Sequence, residues 1–341
     1  ISYRLVGSEM CIRDRTLFYL VLYIDKYINI LSNVRKINTL MISIKQINYA
    51  LAVAKTLHFR KAAEICFVSP STLSNAITEM ENQLGVKIFE RDNKKVFVTE
   101  LGREILEKSK TIKMQLEDIQ KISESTKAPL SHNLSIGIIP TVSPFILPYL
   151  LPKLRSDFPK LKLKVTEAQS ENLLIMLENG EIDMAVLALP YNIRGLKSYK
   201  FWQENFYWIS TKKDTRSKRN KIKAKELDLN ELILLEEGNC LKDHVLSACK
   251  ISDDAQHDIK ATSLNTLIQL VKGGMGTTLI PEMALEQLIK GNKNLSMTEL
   301  DESGPHREIA LIVRQNYYGE RDAEILCSIL KTELDIRFSK Q

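Results

Sequence analysis

Two cysteines in the C-terminal half, Cys240 and Cys249, are the residues of this chain with the clearest capacity for chemistry. Cys240 follows a Gly-Asn turn, which places it near the start of a predicted helix. The helix dipole and the nearby Lys242 would lower the pKa of the Cys240 thiol and favour the thiolate. A thiolate attacks peroxide to give a sulfenic acid, which condenses with a second thiol into a disulfide. The pair therefore indicates a redox switch.

The spacing of the two cysteines predicts what their disulfide would require. Nine positions along a helix separate two Cα atoms by about 13 Å, whereas a disulfide needs them within about 7 Å. If residues 241–250 are helical while the thiols are reduced, oxidation must refold that segment. Two buried, unreactive core cysteines would show the same spacing, and the residues alone leave that alternative open.

From residue 134 the chain alternates between short apolar runs and amphipathic segments. The predicted strands and helices are, in order, residues 134–139 (β), 145–158 (α), 161–165 (β), 173–178 (α) and 184–189 (β). Residues 232–235, 266–272, 277–280 and 309–313 continue the pattern. This alternation is typical of an α/β architecture with mainly parallel sheets, and about 200 residues of it would form two subdomains with a cleft between them.

The segment before it reads as short helices followed by a charged hairpin. Helical periodicity predicts a first helix from Ile44, a second over residues 59–66 and a third over residues 73–84. Ser71 or Thr72 would cap the third helix. Two helices, a turn and a third helix that begins with small polar residues predict a winged helix-turn-helix, whose wing is the hairpin after the third helix.

Such a module binds DNA by placing the start of the third helix in the major groove, while basic residues hold phosphates. A three-helix domain with a purely structural role is the alternative. The predicted DNA contacts are Ser69, Ser71, Thr72, Ser74, Asn75, Thr78, Arg91, Lys94 and Lys95.

A long helix is predicted over residues 99–127, with Leu101, Ile105, Ile112, Leu116 and Ile119 on one face. About 25 residues of helix span ~37 Å, too far to bury against a small domain, so the stripe is expected to meet a second copy of itself. We expect a DNA-binding domain at residues 41–100, a linker and dimerisation helix at 101–133, and a sensor domain at 134–341. Residues 1–40 are expected to be a non-native extension ahead of a true start at Met41.

Residues 44–102 resemble the N-terminal domain of LysR-type transcription regulators. The residues that carry the resemblance are Phe59, Ala62-Ala63, Val68-Ser69-x-Ser71-Thr72-Leu73-Ser74, Ile77, Glu81-x-x-Leu84-Gly85-Val86-x-x-Phe89-x-Arg91 and Thr99-x-x-Gly102. The resemblance implies binding to double-stranded promoter DNA, a homotetramer built as a dimer of dimers, and RNA polymerase as a partner. Thr78 and Glu79 depart from the family, whose recognition helix often carries Arg or Lys there.

The C-terminal part resembles the effector domain of the same family, which has a periplasmic-binding-protein-like fold, and in particular its peroxide-sensing members. The matching residues are Gly137 to Val142, Glu167-Ala168-Gln169, Asp183-x-Ala185-x-Leu187-Ala188-Leu189, Gly238-x-Cys240-Leu241-Lys242-Asp243 with Cys249, Ala261 to Leu264, and Gly274-x-Gly276-x-Thr278-Leu279-x-Pro281.

That resemblance implies a transcription activator that responds to oxidative stress. It makes Cys240 the peroxidatic and Cys249 the resolving cysteine. The peroxide or effector pocket carries over to Thr141, Ser170, Asn239, Asp243 and Arg314. Asn239 stands where many relatives have His, and Ser170 where others have Thr.

Composition sets wide limits on function. The 341 residues carry a net charge of +6, a weak indication of a polyanionic partner. No apolar stretch is long enough for a membrane helix, and five cysteines suit a reducing cytoplasm better than a secreted scaffold. The histidines show no metal spacing, no cofactor motif occurs, and we expect no enzyme because no nucleophile, base and acid stand together.

Two rival functions remain open. In the first, the chain is a DNA-binding regulator whose cysteines are incidental and whose effector is a small organic anion in the cleft, which Thr141, Ser170 and Arg314 would suit equally well. In the second, it is a solute-binding or enzymatic α/β protein with no role on DNA.

Overall fold

The computed structural model describes residues 42–92, 95–125, 128–250 and 260–338, and for residues 123–125 the backbone alone. The described residues form two compact units, which divide between Gln115 and Leu116. The predicted extension, residues 1–40, lies outside the described residues. The three domain boundaries expected from the sequence stay predictions.

Three helices open the first unit: α1 (Ile44–Thr56), α2 (Phe59–Ile65) and α3 (Pro70–Leu84). Apolar side chains from all three helices form one core, in which Val53 and Leu73 have no exposed surface. Small residues on α2 allow the helices to pack closely. The triplet therefore holds the start of α3 in a fixed position.

Helix α3 begins earlier than the sequence suggested. The N-cap is Ser69, and not Ser71 or Thr72, because the Ser69 hydroxyl accepts a hydrogen bond from the Thr72 backbone N–H at 3.1 Å. Pro70 occupies the first helical position, where a missing N–H costs nothing and the fixed φ favours the helix. Gly85 ends the helix with a φ of 71°, as expected.

The hairpin predicted as the wing is present. Strands β1 (Phe89–Asp92) and β2 (Lys95–Val98) pair antiparallel. The buried Glu81 carboxylate joins the hairpin to α3, since its Oε1 accepts from the Ile88 and Phe89 backbone N–H groups at 3.0 and 3.1 Å. The hairpin is followed by the long helix α4 (Glu100–Ser125), whose 26 residues span about 39 Å.

The second unit alternates strands and helices. Its elements in chain order are β3 (Asn133–Ile138), α5 (Ser143–Asp157), β4 (Lys162–Glu167), α6 (Ser170–Glu178), β5 (Met184–Leu189), β6 (Lys197–Glu204), β7 (Phe206–Thr211), β8 (Lys221–Ile222), β9 (Leu234–Leu235), α7 (Cys240–Cys249), β10 (Lys260–Ala261), α8 (Leu264–Lys272), β11 (Thr278–Pro281), α9 (Leu285–Leu288), β12 (Leu295–Leu300), β13 (Arg307–Val313) and α10 (Glu320–Phe338).

These strands form two main sheets, one per subdomain. The first has the order β4-β3-β5-β13-β6, with β3 parallel to β4 and β5. Strand β13 runs antiparallel to both β5 and β6. The second sheet has the order β11-β7-β12-β8, and β9 pairs with β10 separately. The α/β class is confirmed, but the expected mainly parallel pairing is wrong, because both sheets are mixed.

Five strands of the second unit were not predicted from the sequence: β6, β7, β8, β10 and β12. Strands β6 and β7 follow each other with one residue between them. Strands β6 and β12 mix polar and apolar residues without an apolar run, whereas β7 begins with the apolar run Phe206 to Ile209 and could have been predicted. The chain passes between the subdomains at Asn205 and again over residues 301–306. Among the described residues, none of the helices has the length and apolar composition that a bilayer crossing needs.

Candidate functional site

One edge of the first sheet collects several polar side chains. The parallel strands β3, β4 and β5 all end there, and because β13 is antiparallel to β5, its first residue lies at the same edge. Thr141 follows β3, Ser170 starts helix α6 after β4, Ala188 lies near the end of β5, and Arg307 begins β13.

Cys240 is the first residue of α7 and meets this edge. The residue is 4% exposed, and its thiol interacts with the Ser170 hydroxyl and the Ala188 backbone. The Ser170 hydroxyl is itself buried and has no nitrogen or oxygen partner among the described residues. The thiol is thus buried among polar groups, and we call these surroundings the Cys240 pocket.

The acidity of the Cys240 thiol differs from the sequence expectation. Burial raises its pKa, because the pocket disfavours the charged thiolate. The Ser170 hydroxyl and the positive charge of Arg307 oppose that effect, and Asp243 adds to it. Burial outweighs the stabilising groups in the reduced protein, so the expected lowering is wrong. The positive charge of Arg307 is the one that lowers the pKa of the thiol against the effect of burial.

Arg307 is the charged centre of the pocket wall. Its Nη1 donates to the Thr141 hydroxyl oxygen and its Nη2 to the Thr141 carbonyl oxygen, both at 3.2 Å. Its Nε donates to Glu204 Oε1 at 2.7 Å, and both side chains are completely buried. Glu204 Oε2 also accepts from the Met283 backbone N–H at 2.9 Å. This chain of contacts connects the pocket to the point where β6 leaves the first subdomain.

Cys249 lies at the other end of α7. It is 7% exposed, and burial raises the pKa of its thiol to about 12. Both cysteines are free thiols, and the nine-residue rise of the helix separates their Cα atoms by about 13 Å. The predicted helical arrangement of the reduced pair is therefore present.

Two other predicted pocket residues flank the thiol without contributing a hydrogen bond to it. Asn239 is the N-cap residue of α7 and is buried, and its amide nitrogen donates to the Glu236 carbonyl at 3.1 Å. Asp243 lies one turn beyond Cys240, and its side chain is exposed. Its carboxylate raises the pKa of the Cys240 thiol by repulsion.

Arg314 is not part of this pocket, contrary to the sequence expectation. It follows β13, whose last residue lies at the opposite edge of the sheet from Thr141. There its Nη1 donates to the Leu177 and Ile182 carbonyl oxygens, both at 3.3 Å, and its Nη2 donates to Asp118 Oδ1 at 3.1 Å. Arg307, seven residues earlier, takes the place at the pocket.

Sequence reasoning missed four residues of this neighbourhood. Arg307 and Arg314 both flank the same apolar run, and choosing between them required knowing that β13 is antiparallel. Nothing in the sequence singles out Glu204 or Tyr191, whereas His244 is recognisable from its position one helical turn after Cys240. Burial, the Glu171 carboxylate and Cys240 all raise the pKa of the Tyr191 phenol. The four residues are Arg307, Glu204, Tyr191 and His244.

The predicted DNA contacts cluster at the start of α3 in the first unit. Ser69, Ser71, Thr72, Asn75 and Thr78 are exposed, and Ser74 is half-buried. The Ser69 hydroxyl lies 2.8 Å from both the Ser71 and the Thr72 hydroxyls. The Thr78 hydroxyl donates to the Ser74 carbonyl at 3.0 Å, so it is bonded within the helix.

In the wing, Arg91 is exposed and also contacts residues of α2 and α3. Arg91 donates from Nη1 to the Ser74 hydroxyl at 3.1 Å, and its guanidinium lies 3.9 Å from the centre of the Phe59 ring. Arg91 thus braces β1 against α2 and α3. Lys95 is exposed, while Lys94 lies outside the described residues.

The predicted apolar stripe of helix α4 is largely uncovered. Leu101 is 55% exposed, Ile112 44% and Ile119 62%. Three exposed apolar residues on one face of a helix favour a contact with another helix.

Two family models match the chain. The model described as a bacterial regulatory helix-turn-helix protein of the lysR family matches residues 44–103. The model described as a LysR substrate binding domain matches residues 127–335, more than half of the chain.

Known regulators are similar over most of their length. The HTH-type transcriptional regulator EstR of Acinetobacter baylyi is 40% identical over 291 residues, which cover 85% of this chain and 96% of EstR. The DNA-binding transcriptional dual regulator OxyR of Escherichia coli is 30% identical over 299 residues, which cover 87% of this chain and 98% of that protein. The hydrogen peroxide-inducible genes activator of Dickeya chrysanthemi is 32% identical over 273 residues, covering 80% and 89%.

Solved OxyR structures have the same fold. Full-length OxyR from Pseudomonas aeruginosa, a cysteine-to-aspartate variant, superposes with a TM-score of 0.70 at 27% identity and covers 85% of this chain and 95% of its own. A peroxide-bound OxyR variant from Corynebacterium glutamicum gives 0.60 at 28% identity and covers 87% and 94%. With a DNA-binding module at one end and an α/β effector domain at the other, the chain belongs to the LysR family of bacterial transcription regulators and is not an enzyme.

Proposed function

We propose that this regulator senses hydrogen peroxide through a thiol–disulfide switch between Cys240 and Cys249. The observation that carries the proposal is the environment of Cys240: a single thiol at a helix N-terminus, in a buried pocket whose polar groups include the unpartnered Ser170 hydroxyl and the Thr141–Arg307 pair. Peroxide offers two donors and two acceptors, which these groups complement.

The reaction balances with peroxide as the only co-reactant. Cys240 loses its thiol proton, and the sulfur attacks one peroxide oxygen, so that an S–O bond forms as the O–O bond breaks. The departing oxygen leaves as water with that proton. Sulfur gives up two electrons and becomes a sulfenic acid. The Cys249 thiol then attacks this sulfur, the S–S bond forms, and a second water leaves.

Arg307 and Ser170 bear on the rate of the first step. Because burial raises the pKa of Cys240, little thiolate exists at neutral pH, and catalysis rests on groups that stabilise negative charge as it develops. The Arg307 guanidinium and the Ser170 hydroxyl are such groups.

The second step changes the shape of the protein. The two Cα atoms are about 13 Å apart along α7, so a disulfide requires the helix to unwind. Most of α7 is buried, including Leu241 and Val245. Unwinding therefore withdraws apolar surface from the core of the second subdomain and provides a two-state element for signalling.

The output of the switch is binding to promoter DNA. We place the start of α3 in the major groove, with Ser71, Thr72 and Asn75 facing base edges and Lys95 of the wing on the phosphate backbone. The exposed stripe of α4 would form the dimer, two dimers a tetramer, and RNA polymerase the downstream partner. A free-thiol sensor of this kind operates in the reducing cytoplasm.

A comparison of reduced and oxidised protein tests the proposal. After treatment with stoichiometric peroxide, peptide mass spectrometry should find a Cys240–Cys249 crosslink, and promoter binding should change. Cys240→Ser should abolish both effects. Cys327→Ser, which removes a half-buried thiol outside the switch, is the matched control and should respond like the parent. Absence of the crosslink would refute the switch.

A small organic anion is the second candidate effector. EstR, at 40% identity, is more similar to this chain than E. coli OxyR and the D. chrysanthemi activator at 30% and 32%, and its name does not refer to peroxide. Arg307 and Thr141 would bind a carboxylate. In that case a carboxylate effector should raise the melting temperature of the Cys240→Ser variant as much as that of the parent.

A further inference from the structure

His244 is a buried titratable residue that the steps above do not use. It lies one turn after Cys240 on α7, is 3% exposed, and its Nε2 is 2.9 Å from the Pro190 carbonyl oxygen. A carbonyl only accepts hydrogen bonds, so Nε2 carries the ring proton. Burial lowers the pKa of His244, which keeps the ring neutral at pH 7. In a neutral ring with Nε2 protonated, Nδ1 is an acceptor.

That acceptor is unsatisfied. His244 Nδ1 is buried and has no hydrogen-bond partner among the described residues. Burying an unpaired acceptor is unfavourable, yet Pro190 holds the ring in this orientation. Near Cys240, the Ser170 hydroxyl oxygen is another buried atom without a nitrogen or oxygen partner among the described residues, and it interacts with the Cys240 thiol. A donor-bearing molecule in the pocket would satisfy both.

The imidazole and the thiol share one neighbourhood. Residues four apart on a helix lie on the same face, and here both face the end of β5 and the residue that follows it. Cys240 interacts with the Ala188 backbone, and His244 with the Pro190 carbonyl. The positive charge of Arg307 lowers the pKa of both side chains, as expected for two groups that lie beside the same guanidinium.

Neighbouring residues do not offer a comparable base. The Asn239 amide, immediately before Cys240, is bonded to the Glu236 carbonyl and does not take up protons near neutral pH. The Asp243 carboxylate is exposed to solvent.

We propose that His244 is the proton acceptor of the Cys240 site. This inference rests on the proposed peroxide reaction. Nδ1 receives the proton that leaves the thiol as the sulfur attacks, and the imidazolium returns it to the departing peroxide oxygen, which leaves as water. The S–O bond forms, the O–O bond breaks, and His244 ends the step neutral.

A proton acceptor of this kind gives the reaction a characteristic pH dependence. Asp243 from α7 and Arg307 from β13 are the charged groups that act on the ring, and the Pro190 carbonyl holds its proton. The rate constant for Cys240 oxidation should therefore fall as pH drops through the pKa of His244, which lies below the ordinary value of about 6.5. Ionisation of the thiol itself produces a separate rise at high pH.

The test uses the full chain with Cys11→Ser, Cys66→Ser, Cys249→Ser and Cys327→Ser, so that Cys240 is the one thiol left and oxidation stops at its sulfenic acid. Dimedone trapping and mass spectrometry give its rate of formation with peroxide between pH 5 and 9. His244→Gln keeps an N–H for the Pro190 carbonyl but removes the base. We expect oxidation about tenfold slower or more at pH 7.5, and no inflection on the acid side.

His132→Gln is the matched control. His132 is also buried, but it immediately precedes β3, at the opposite end of that strand from the Cys240 pocket. It should keep the parental rate and profile. A parental rate and profile in His244→Gln would overturn the role of His244 while leaving peroxide sensing intact. No sulfenic acid in the parent would overturn both. If His244→Gln fails to fold, an acid-side inflection in the parent supports the inference, and a flat profile there refutes it.

Discussion

Arg307 and Glu204 form an ion pair without exposed surface, with Nε and Oε1 2.7 Å apart. The first residue of β13 and the last residue of β6 carry it, and both strands border the crossings between the two subdomains. The pair therefore fixes the orientation of the guanidinium that contacts Thr141.

Removing one partner should cost far more than removing both. We expect Glu204→Gln to reduce the free energy of unfolding by about 3–5 kcal/mol, because it leaves Arg307 buried and unpaired. Glu204→Leu combined with Arg307→Met should recover most of that loss but not the reactivity of Cys240. Urea unfolding and peroxide kinetics measure the two effects. Equal destabilisation by the single and double variants would contradict this view.

The same substitution at Arg307 and at Arg314 tests which of the two arginines lies at the pocket. Arg307→Met should slow Cys240 oxidation by about tenfold or more, because the developing negative charge loses its cation. Arg314→Met should leave that rate within about twofold, since its guanidinium bonds Asp118 and two carbonyls at the opposite sheet edge. Stopped-flow measurement of the Cys240 oxidation rate at pH 7.5 distinguishes the two variants. A larger loss of rate with Arg314→Met would make Arg314 the pocket arginine instead of Arg307.

Buried thiols should make stability fall at alkaline pH. Burial raises the pKa of Cys249 and Cys327 to about 12 each, whereas an unfolded thiol has a pKa of about 8.5. The folded thiols keep their protons longer, so this contribution is complete below about pH 8.5 and is lost as pH rises toward 12. Between pH 7 and 9.5 the free energy of unfolding of the parent should fall further than that of the double variant Cys249→Ala with Cys327→Ala. The expected difference is about 1 kcal/mol for each thiol. Urea unfolding under a reductant measures the difference, and an identical slope would count against buried thiols.

Two substitutions near the start of α3 should have separate effects, one on stability and the other on DNA recognition. Ser69→Ala removes the N-cap and should cost about 1 kcal/mol of stability. Asn75→Ala changes an exposed side chain and should leave the melting temperature unchanged while weakening promoter binding by about 1–3 kcal/mol. Gel shifts with specific and scrambled DNA provide the readout. A uniform loss on both DNAs would make Asn75 a backbone contact.

The uncovered stripe of α4 should be a self-association surface. Ile119→Asp places a charge on a residue that is 62% exposed, so the isolated chain should tolerate it, but the dimer should dissociate. Sedimentation at micromolar concentration distinguishes the states. Glu117→Gln, two residues away, is the control that should remain associated.

The sequence predicted the element types better than the pairing of the strands. Helices α1 to α4 follow from periodicity and capping, and the first βαβ unit from alternating apolar runs. Strands β6 and β12 were missed because their mixed polar and apolar residues lack a clear period, and β8 and β10 because each has only two residues. The apolar run at the start of β7 was a detectable signal that was overlooked. The direction of β13 depends on a long-range crossing between subdomains, which no local pattern records.

The same limit explains the outcome at the pocket. Cys240, Thr141 and Ser170 lie together because each follows or precedes a recognisable element end. Arg307 was missed for Arg314, because only the antiparallel direction of β13 decides which end of the strand reaches Thr141. The pKa of Cys240 was misjudged because burial, a tertiary property, outweighs the local helix dipole.

If the proposed Cys240–Cys249 disulfide forms, the placement of both cysteines at opposite ends of one helix also affects the return to the reduced state. A disulfide that can form only when α7 is unwound carries the lost packing of that helix as a penalty. By the relation between potential and free energy, each 1.4 kcal/mol of penalty makes the reduction potential more positive by about 30 mV. Cellular reductants would therefore reset the regulator readily, and the signal would last only as long as the oxidant persists.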